Sequence, residues 1–478
     1  MIVLYNTLTR KKEPLKPVEE GKIGLYACGP TVYDYFHIGN ARIFILFDVL
    51  RRYLAYRGYE VTFVQNFTDI DDKMIARAAE LDISVAELAA RFIQAYQEDA
   101  ATLGVLPADH HPRATEHIPQ IIALIQRLID KDLAYEIEGD VYFHVDAFPA
   151  YGQLSHQDLE ELNLGARVEI DARKKHPMDF ALWKKEKPGE PSWESPWGRG
   201  RPGWHIECSA MSMHYLGETL DIHAGGQDLI FPHHENEIAQ SEGATGKTFT
   251  RHWLHAGYLN IDREKMSKSL GNVLTIKELQ AKVDPLILRF FMLSAHYRSP
   301  INFSEEHLQQ AAKALERLHT LIYNLEDALQ KNATVSSSGA EKTWQTNLET
   351  YRLKFREAMD DDFNTAGAFA VLFELAREAN IYLNSTAKPP REVLALILEF
   401  YRETDEIFGF MKKPAGGKGL QEEITALIAD REAARRQKDW ARADSIRDQL
   451  REKGVVLEDT PQGVRWRVLA KREAEEEA

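Results

Sequence analysis

The stretch from Lys22 to Asp72 alternates element types at a spacing that few folds accommodate. Lys22 to Cys28 (KIGLYAC) is a short apolar run that reads as a buried strand. A Gly29-Pro30 turn follows. From Ile38 to Arg57 the residues Ile43, Leu46, Phe47, Leu50 and Leu54 then share one helical face. Glu60 to Asn66 (EVTFVQN) reads as a second strand, and Asp71 onward is helical again. Strand, helix, strand at this spacing begins a parallel sheet, because parallel neighbours need a long crossover between them. The expected class is α/β, built on a doubly wound parallel sheet.

The pattern is interrupted from about Pro112 to Gly203. A helix near Ile118–Asp132, short strands around Val141–Val145 and the Pro/Trp/Gly-rich KPGEPSWESPWGRGRPGW read as an insertion within the sheet domain. Strand signals resume at Leu220–His223, with a helix expected from Pro232 to Glu242. From Ser304 to about Lys412 the periodicity is helical, broken near Val335 by VSSSGA and again at Pro389-Pro390, which reads as a helical bundle. A linker, KKPAGGKG, leads to two short helices and a hairpin-like VVLEDTPQGVRWRV, a small mixed α/β end. The expected domains are 1–111 and 204–303 for the two halves of the sheet domain, 112–203 for the insertion, 304–412 for the bundle and 420–478 for the end.

A length of 478 residues suits about three domains. No apolar run approaches the roughly 18 residues a membrane span needs. The start, MIVLYNTLTRKK, places its apolar stretch before its charges and has no small-residue cleavage site. No membrane association and a cytoplasmic address are therefore expected. A net charge of −15 argues mildly against nucleic acid, but between Arg431 and Arg472 twelve Lys/Arg face seven Asp/Glu. That locally basic end can hold RNA while the rest of the chain stays acidic. The two cysteines, Cys28 and Cys208, read first as unrelated buried thiols in a reducing compartment.

Two short sequences suggest a polyphosphate ligand. His37-Ile38-Gly39-Asn40 stands at the entry to the first helix, where unpaired N–H groups and the positive dipole end attract anions. Gly39 permits close backbone approach, and His37 and Asn40 can donate to phosphate oxygens; taken alone, His37 reads more readily as a helix cap. Lys265-Met266-Ser267-Lys268-Ser269 offers two ammonium groups three residues apart in a Ser/Gly loop, which alone reads as an exposed charged loop. The pair, in this order with about 225 residues between them, resembles the two nucleotide signatures of class I aminoacyl-tRNA synthetases. The resemblance implies a Rossmann-like catalytic sheet. Where that family usually has a fourth His, this chain has Asn40, which cannot take up a proton, so hydrogen bonding must suffice there.

Cys28 ends the first strand, beside the mouth where a doubly wound sheet binds ligands. Cys208 lies in GWHIECSAMS, and His233 and Glu237 lie at i and i+4 in FPHHENEIAQS, on one face of the expected helix. Two thiolates, an imidazole and a carboxylate make a zinc donor set, although the spacing is that of no zinc finger and His234 could stand in for His233. CGPTVYD, GWHIECSAMS and GGQDLIFPHHENEIAQS resemble the motifs of cysteinyl-tRNA synthetases. That resemblance implies one zinc ion on Cys28, Cys208, His233 and Glu237. It also implies a cysteine pocket shaped by Gly29, Thr31, Thr68, Trp204, His223 and Asp228, with Trp204 open to a plain packing role. ATP would meet His37, Gly39, Asn40, Asp228 and Lys268, and His37, Asn40, Lys265 and Lys268 would carry catalysis with Mg2+ accompanying the nucleotide.

The reaction implied is attack of the cysteine carboxylate on the α-phosphate of ATP. Pyrophosphate leaves, and the adenylate then esterifies the terminal adenosine of tRNA(Cys), by class I habit at the 2′-hydroxyl. Zinc, a borderline-soft ion, would select thiolate over the hydroxyl of serine, which a hydrophobic pocket alone separates poorly. Asp284–Arg289 and His296–Phe303 resemble the family's stem-contact segment. Trp440, Arg465, Trp466 and Arg467 offer cations and stacking faces to unpaired anticodon bases, although Trp440 reads somewhat more readily as helix packing. A monomer is implied by the resemblance alone. A ligase that joins cysteine to a small amine would keep both signatures but has no use for the bundle and basic end. Lys268→Ala should depress ATP–pyrophosphate exchange sharply while zinc content stays at the wild-type level. Equal loss of both would point to misfolding.

Overall fold

The computed structural model describes residues 1–156, 173–261, 274–331, 339–386, 388–411, 427–435, 437 and 439–450, and the backbone alone of 264–265, 451–452, 455–460 and 463–468. Four parallel strands form the central sheet, in the order Thr250–Ala256, Leu220–Gly226, Lys22–Ala27, Glu60–Gln65. From Lys22–Ala27 the chain first moves to one side, to Glu60–Gln65, and later to the other, to Leu220–Gly226. The winding therefore reverses between the first and third of these strands. The carboxyl ends at such a reversal diverge and leave a crevice. Leu25, Tyr26 and Ala27 are wholly buried, as befits a strand covered on both faces.

The helix Ile38–Tyr56 begins in a capping box. The His37 ring accepts from the Asn40 backbone N–H at 3.3 Å, and Asn40 Oδ1 accepts from the His37 N–H at 3.4 Å. Sequence reading placed a helix from Pro232. The chain instead makes a wide turn over Ile230–His234, and the α-helix runs Glu235–Thr245. Phe231 is extended (φ −135°, ψ 135°), the conformation that a following proline imposes. An N-terminal hairpin, Val3–Asn6 with Lys11–Pro14, has no counterpart in the sequence reading. Its strands are four residues each, too short to show a period.

The inserted segment contributes the helix Ile118–Ile129 and a four-stranded antiparallel sheet, Ala134–Ile137, Asp140–Phe143, Phe180–Lys185 and Gly200–Pro202. Ile121, Ile125, Leu128, Phe143 and Trp183 form its core, which continues into Ile206, Ala210 and Ala239 of the helices Trp204–Leu216 and Glu235–Thr245. A small sheet sets Leu259–Ile261 between Glu264–Lys265 and Ile301–Phe303. Four long helices follow: Glu305–Lys331, Gly339–Asp360, Thr365–Ser385 and Arg391–Phe408. Beyond them lie the helix Trp440–Glu452 and the hairpin Val455–Thr460 with Gly463–Val468.

One hydrophobic core runs unbroken from the central sheet into the helical bundle. Within that contact Asp48 and Arg289 are both fully buried and bonded at 2.7 Å. Arg289 also donates to the carbonyls of Leu103 and Phe408, while Arg52 meets Asp48 at 2.9 Å. Arg289→Met should lower stability by about 3–5 kcal/mol, because it leaves a buried carboxylate short of a partner and two carbonyls without donors. Thermal melting would measure this. A shift worth under about 1 kcal/mol would mean that Arg51, Arg52 and the Leu106 N–H satisfy Asp48 without it.

Candidate metal centre and nucleotide site

Cys28 is the first residue beyond the strand Lys22–Ala27, and its N–H extends the ladder to the Ala224 carbonyl at 3.2 Å. The chain then turns so tightly against the next strand that the Gly29 N–H reaches Asn66 Oδ1 at 2.9 Å. A Cβ on Gly29 would lie 1.7 Å from the Asn66 carbonyl oxygen. Only glycine fits there. Cys208 comes from the helix Trp204–Leu216, and its sulfur lies 4.0 Å from that of Cys28. Glu237, in the helix Glu235–Thr245, presents Oε1 to Cys28 Sγ at 3.7 Å and to His233 Nε2 at 3.1 Å. All four side chains are buried, and their ligand atoms lie within 4.8 Å of one another.

A second donor set overlaps the first: Cys28, His223, His234 and Glu237. His223, wholly buried in the strand Leu220–Gly226, meets the other carboxylate oxygen of Glu237 at 2.8 Å. His234 places Nε2 at 3.2 Å from Cys28 Sγ and Nδ1 at 2.8 Å from His255 Nε2. His255 continues to Thr7 Oγ1 at 2.8 Å. His233 in turn meets His205, Nδ1 to Nδ1, at 2.8 Å.

The electrostatics favour bound positive charge. Burial alone would raise Glu237, but His223 and His233 outweigh it and hold its carboxyl at about 2. Burial opposes charge on His233 as well, yet Glu237 and Cys208 lift it to about 10. The hydrogen bond from Cys28 brings Cys208 down to about 6 against its burial, while burial and the partner sulfur push Cys28 up. The two thiols thus behave as one pair that gives up a first proton readily and a second reluctantly. His255 falls to about 3, and His205 and His234 are also held well below the usual imidazole range, chiefly through burial, so these rings are neutral. A divalent cation among these donors would take the place of the proton on His233.

The other anticipated residues fall around this cluster. Trp204 is 42% exposed at the start of its helix, with its ring 4.4 Å from that of His233, so it is no core residue. Thr68 is buried, and its backbone bridges Thr31. Asp228 is exposed in the turn Gln227–Leu229, at the carboxyl end of the strand Leu220–Gly226. His223 is wholly buried and orients the Glu237 carboxylate through its 2.8 Å contact with Oε2.

In the first signature the cap uses His37 Nδ1 as an acceptor, which puts the ring proton on Nε2. It also uses the Asn40 carbonyl oxygen, so Asn40 turns its amide NH2 outward as a donor. The second signature approaches from both flanks. Lys265 pairs its backbone with Asn260, and on the far side Leu274 accepts from the Ile38 N–H at 2.9 Å while Thr275 bridges His37. Lys268 and the Lys265 side chain lie outside the described residues. Trp440 is 58% exposed, which removes the packing reading within its helix, and Arg465, Trp466 and Arg467 belong to the last strand.

Sequence reasoning missed His205, Glu207 and His255. Glu207 is wholly buried, with the Thr68 side chain as the one neighbour that favours its charged form. Burial, helped by Cys208, Asp69 and Asp71, pushes its carboxyl well above the usual carboxylate range. Its position next to Cys208 inside a quoted motif was the available signal. His255 shares its strand, TRHWLHA, with Thr250, Arg251 and His252, so no local signal sets it apart.

The chain matches the tRNA synthetases class I (C) catalytic domain over residues 14–313, the DALR domain over 354–412 and the cysteinyl-tRNA ligase anticodon binding domain over 417–467. It is 56% identical over 466 residues to the cysteine–tRNA ligase of Geobacillus thermodenitrificans, covering 98% of this chain and 99% of that one. It is 56% identical over 475 residues to the cysteine–tRNA ligase of Symbiobacterium thermophilum, with the same coverage. Among solved structures it resembles Mycobacterium tuberculosis methionyl-tRNA synthetase in complex with methionyl-adenylate (TM-score 0.59, 15% identity, covering 81% of this chain and 89% of that one). A LeuRS–tRNA–LeuAMS complex from Agrobacterium radiobacter K84 gives TM-score 0.59 at 12% identity, covering 83% and 85%. At such identities these two speak for the fold alone.

Gly29→Ala should displace Cys28 and cut bound divalent metal from about one ion per chain to well under half, with the circular dichroism spectrum unchanged. Metal analysis after gel filtration would check this. Full metal content in the variant would show that the turn can relax without moving the ligand.

Proposed function

The chain belongs to the cysteine–tRNA ligase family, and from that premise we propose that Cys28, Cys208, His233 and Glu237 hold one zinc ion that selects the substrate. The family's reaction is this chain's reaction: ATP-dependent activation of cysteine and its transfer to tRNA. The observation that carries the metal reading is the convergence of four buried donors at the reversal of the sheet. Of the two overlapping sets, this one uses both sulfurs, and soft donors favour zinc over harder divalent ions. When bound, zinc supplies a coordination position that prefers the thiolate of cysteine to the hydroxyl of serine. No editing step is then needed.

The residues of the chain divide the remaining work. His205 and His223 hold His233 and Glu237 in register, as outer hydrogen bonds to metal ligands do. Gly29 and Thr31, at the Cys28 turn, and Thr68, Trp204 and Asp228 would border the cysteine. The exposed Asp228 carboxylate suits a substrate amine or a ribose hydroxyl. His37 Nε2–H and the Asn40 amide would donate to phosphate oxygens where Gly39 opens the backbone, beside the helix N-terminus. Lys265 and Lys268 would stabilise charge on the departing pyrophosphate, with Mg2+ arriving as part of the nucleotide. Such catalysis is positioning and charge stabilisation, and Asn40 performs its share without titrating.

The matches to the DALR and anticodon binding domains support reading the bundle and basic end as the tRNA(Cys) side, with Trp440, Arg465, Trp466 and Arg467 as contacts. The inserted segment's own helix and four-stranded antiparallel sheet support keeping 112–203 apart from the sheet halves 1–111 and 204–303, with 304–412 and 420–478 as the bundle and end. Among the described residues no helix is long and apolar enough to cross a membrane. Thiolate ligands suit a reducing compartment, which supports the cytoplasm. One chain carries every residue invoked, which supports a monomer.

Cysteine-dependent ATP–pyrophosphate exchange, run with serine as competitor on metal-loaded and metal-stripped protein, tests the reading. The expected result is exchange with cysteine only, lost on stripping and restored by zinc. Exchange with serine at a comparable rate, or full activity without metal, would overturn the selection role. Transfer to tRNA, rather than to a small amine, separates this chain from ligases that share the two signatures.

A further inference from the structure

Arg42 lies two residues beyond Asn40 on the first helix and is 1% exposed. Burial lowers it to about 10, which leaves it charged at neutral pH, and no neighbouring carboxylate contributes to that value. Its guanidinium donates to four backbone carbonyls instead: Tyr258 at 3.0 Å, His296 at 3.3 Å, Tyr297 at 3.2 Å and Ser299 at 2.6 Å. A buried cation held by dipoles alone is a poor adhesive, since a leucine would join the same surfaces without the desolvation cost. What arginine offers is a rigid planar fork with several donors at fixed angles.

The carbonyls it gathers belong to two segments with one destination. Tyr258 directly precedes the strand Leu259–Ile261, which pairs with Glu264–Lys265 on one side and Ile301–Phe303 on the other. His296–Ser299 lead into Ile301–Phe303. Between the two segments Gly257 packs so closely that an added Cβ would meet the Arg298 carbonyl oxygen at 2.5 Å. The outer side of 296–299 is held by Asp362, a buried residue between the second and third bundle helices. Asp362 accepts from the Tyr297 hydroxyl at 2.9 Å and from Arg298 at 2.8 and 2.6 Å. It also accepts from the Tyr5 N–H at 2.8 Å, so the contact is tied to the N-terminal hairpin.

We propose that Arg42 is a positioning residue for adenylate formation: it sets the strand leading to Lys265 against the His37–Asn40 helix start, and through residues 296–299 links that geometry to the seating of the bundle at Asp362. The inference rests on reading His37, Asn40 and Lys265 as the ATP-binding groups.

Arg42→Lys keeps the charge but not the fork, and Asp362→Asn alters the far end of the link without touching the nucleotide site. Arg42→Lys should lower kcat of cysteine-dependent pyrophosphate exchange about tenfold to a hundredfold, the scale of an ångström misplacement. KM for cysteine and zinc content should stay at wild-type values. Asp362→Asn should lower kcat in the same direction with the same constants preserved, and the double variant should lose less than the product of the two effects. A melting shift with wild-type kinetics would reduce Arg42 to a structural part and overturn the proposal. So would joint loss of zinc and cysteine affinity, or strictly multiplicative effects. Should Arg42→Lys not fold, Asp362→Asn decides: wild-type kcat there overturns the link. A wild-type chain without cysteine-dependent exchange would instead sink the functional reading itself.

Discussion

Glu237 has no access to water, and a buried carboxylate left without partners would cost several kcal/mol. Its two oxygens are divided between His233, four residues back in the turn Ile230–His234, and His223, in the middle of the sheet. That division fastens the helix Glu235–Thr245 to the strand Leu220–Gly226 and leaves one edge of the carboxylate facing Cys28. Cys208 needs only the packing of its helix on the same sheet to complete the set. Around this knot lies a sleeve of neutral rings, His205, His234 and His255, whose burial keeps them uncharged. Such a surround concentrates positive charge on His233, or on a cation that replaces its proton.

The same economy recurs in the neighbouring turn. Glu235, also buried, accepts from the backbone N–H groups of Gly152, Leu154 and Ser155 and so ties the inserted segment to the metal-side helix. On the nucleotide side, both flanks of the second signature rest against the first, through Arg42 and through the His37–Thr275 bridge. The bundle is attached beneath by Asp360, which takes Tyr53 and Arg57, and by the buried Asp48–Arg289 pair. Beside the continuous hydrophobic core, distant segments of the chain are thus joined by charged or polar groups that cannot be left unpartnered.

Much of this was legible along the chain, for local reasons. The central strands and the first helix carry their periods within twenty residues, and the turn at Gly29 and the signature at His37–Asn40 are marked by residue types with few alternatives. The tight approach of Gly29 to Asn66 explains the first of these. The helix start at Glu235 was misjudged because Pro232 acts on the residue before it, Phe231, and displaces the boundary. The N-terminal hairpin was illegible because short strands have no pattern. His255 and Glu207 escaped because each sits in a segment whose local pattern belongs to packing.

The sequence by itself determined the class of sheet, the helix caps, the signatures and a pool of candidate donors, since each depends on neighbours a few residues away. Only the tertiary structure decided how those donors combine. Cys28, Cys208 and Glu237 are separated along the chain by far more residues than any local rule spans. His233 and His234, adjacent in sequence, stand 3.1 and 3.9 Å from the same oxygen of Glu237. Their separate partners, His205 and His255, come from other elements. Burial then sets which groups carry charge, and burial is a property of the assembled fold.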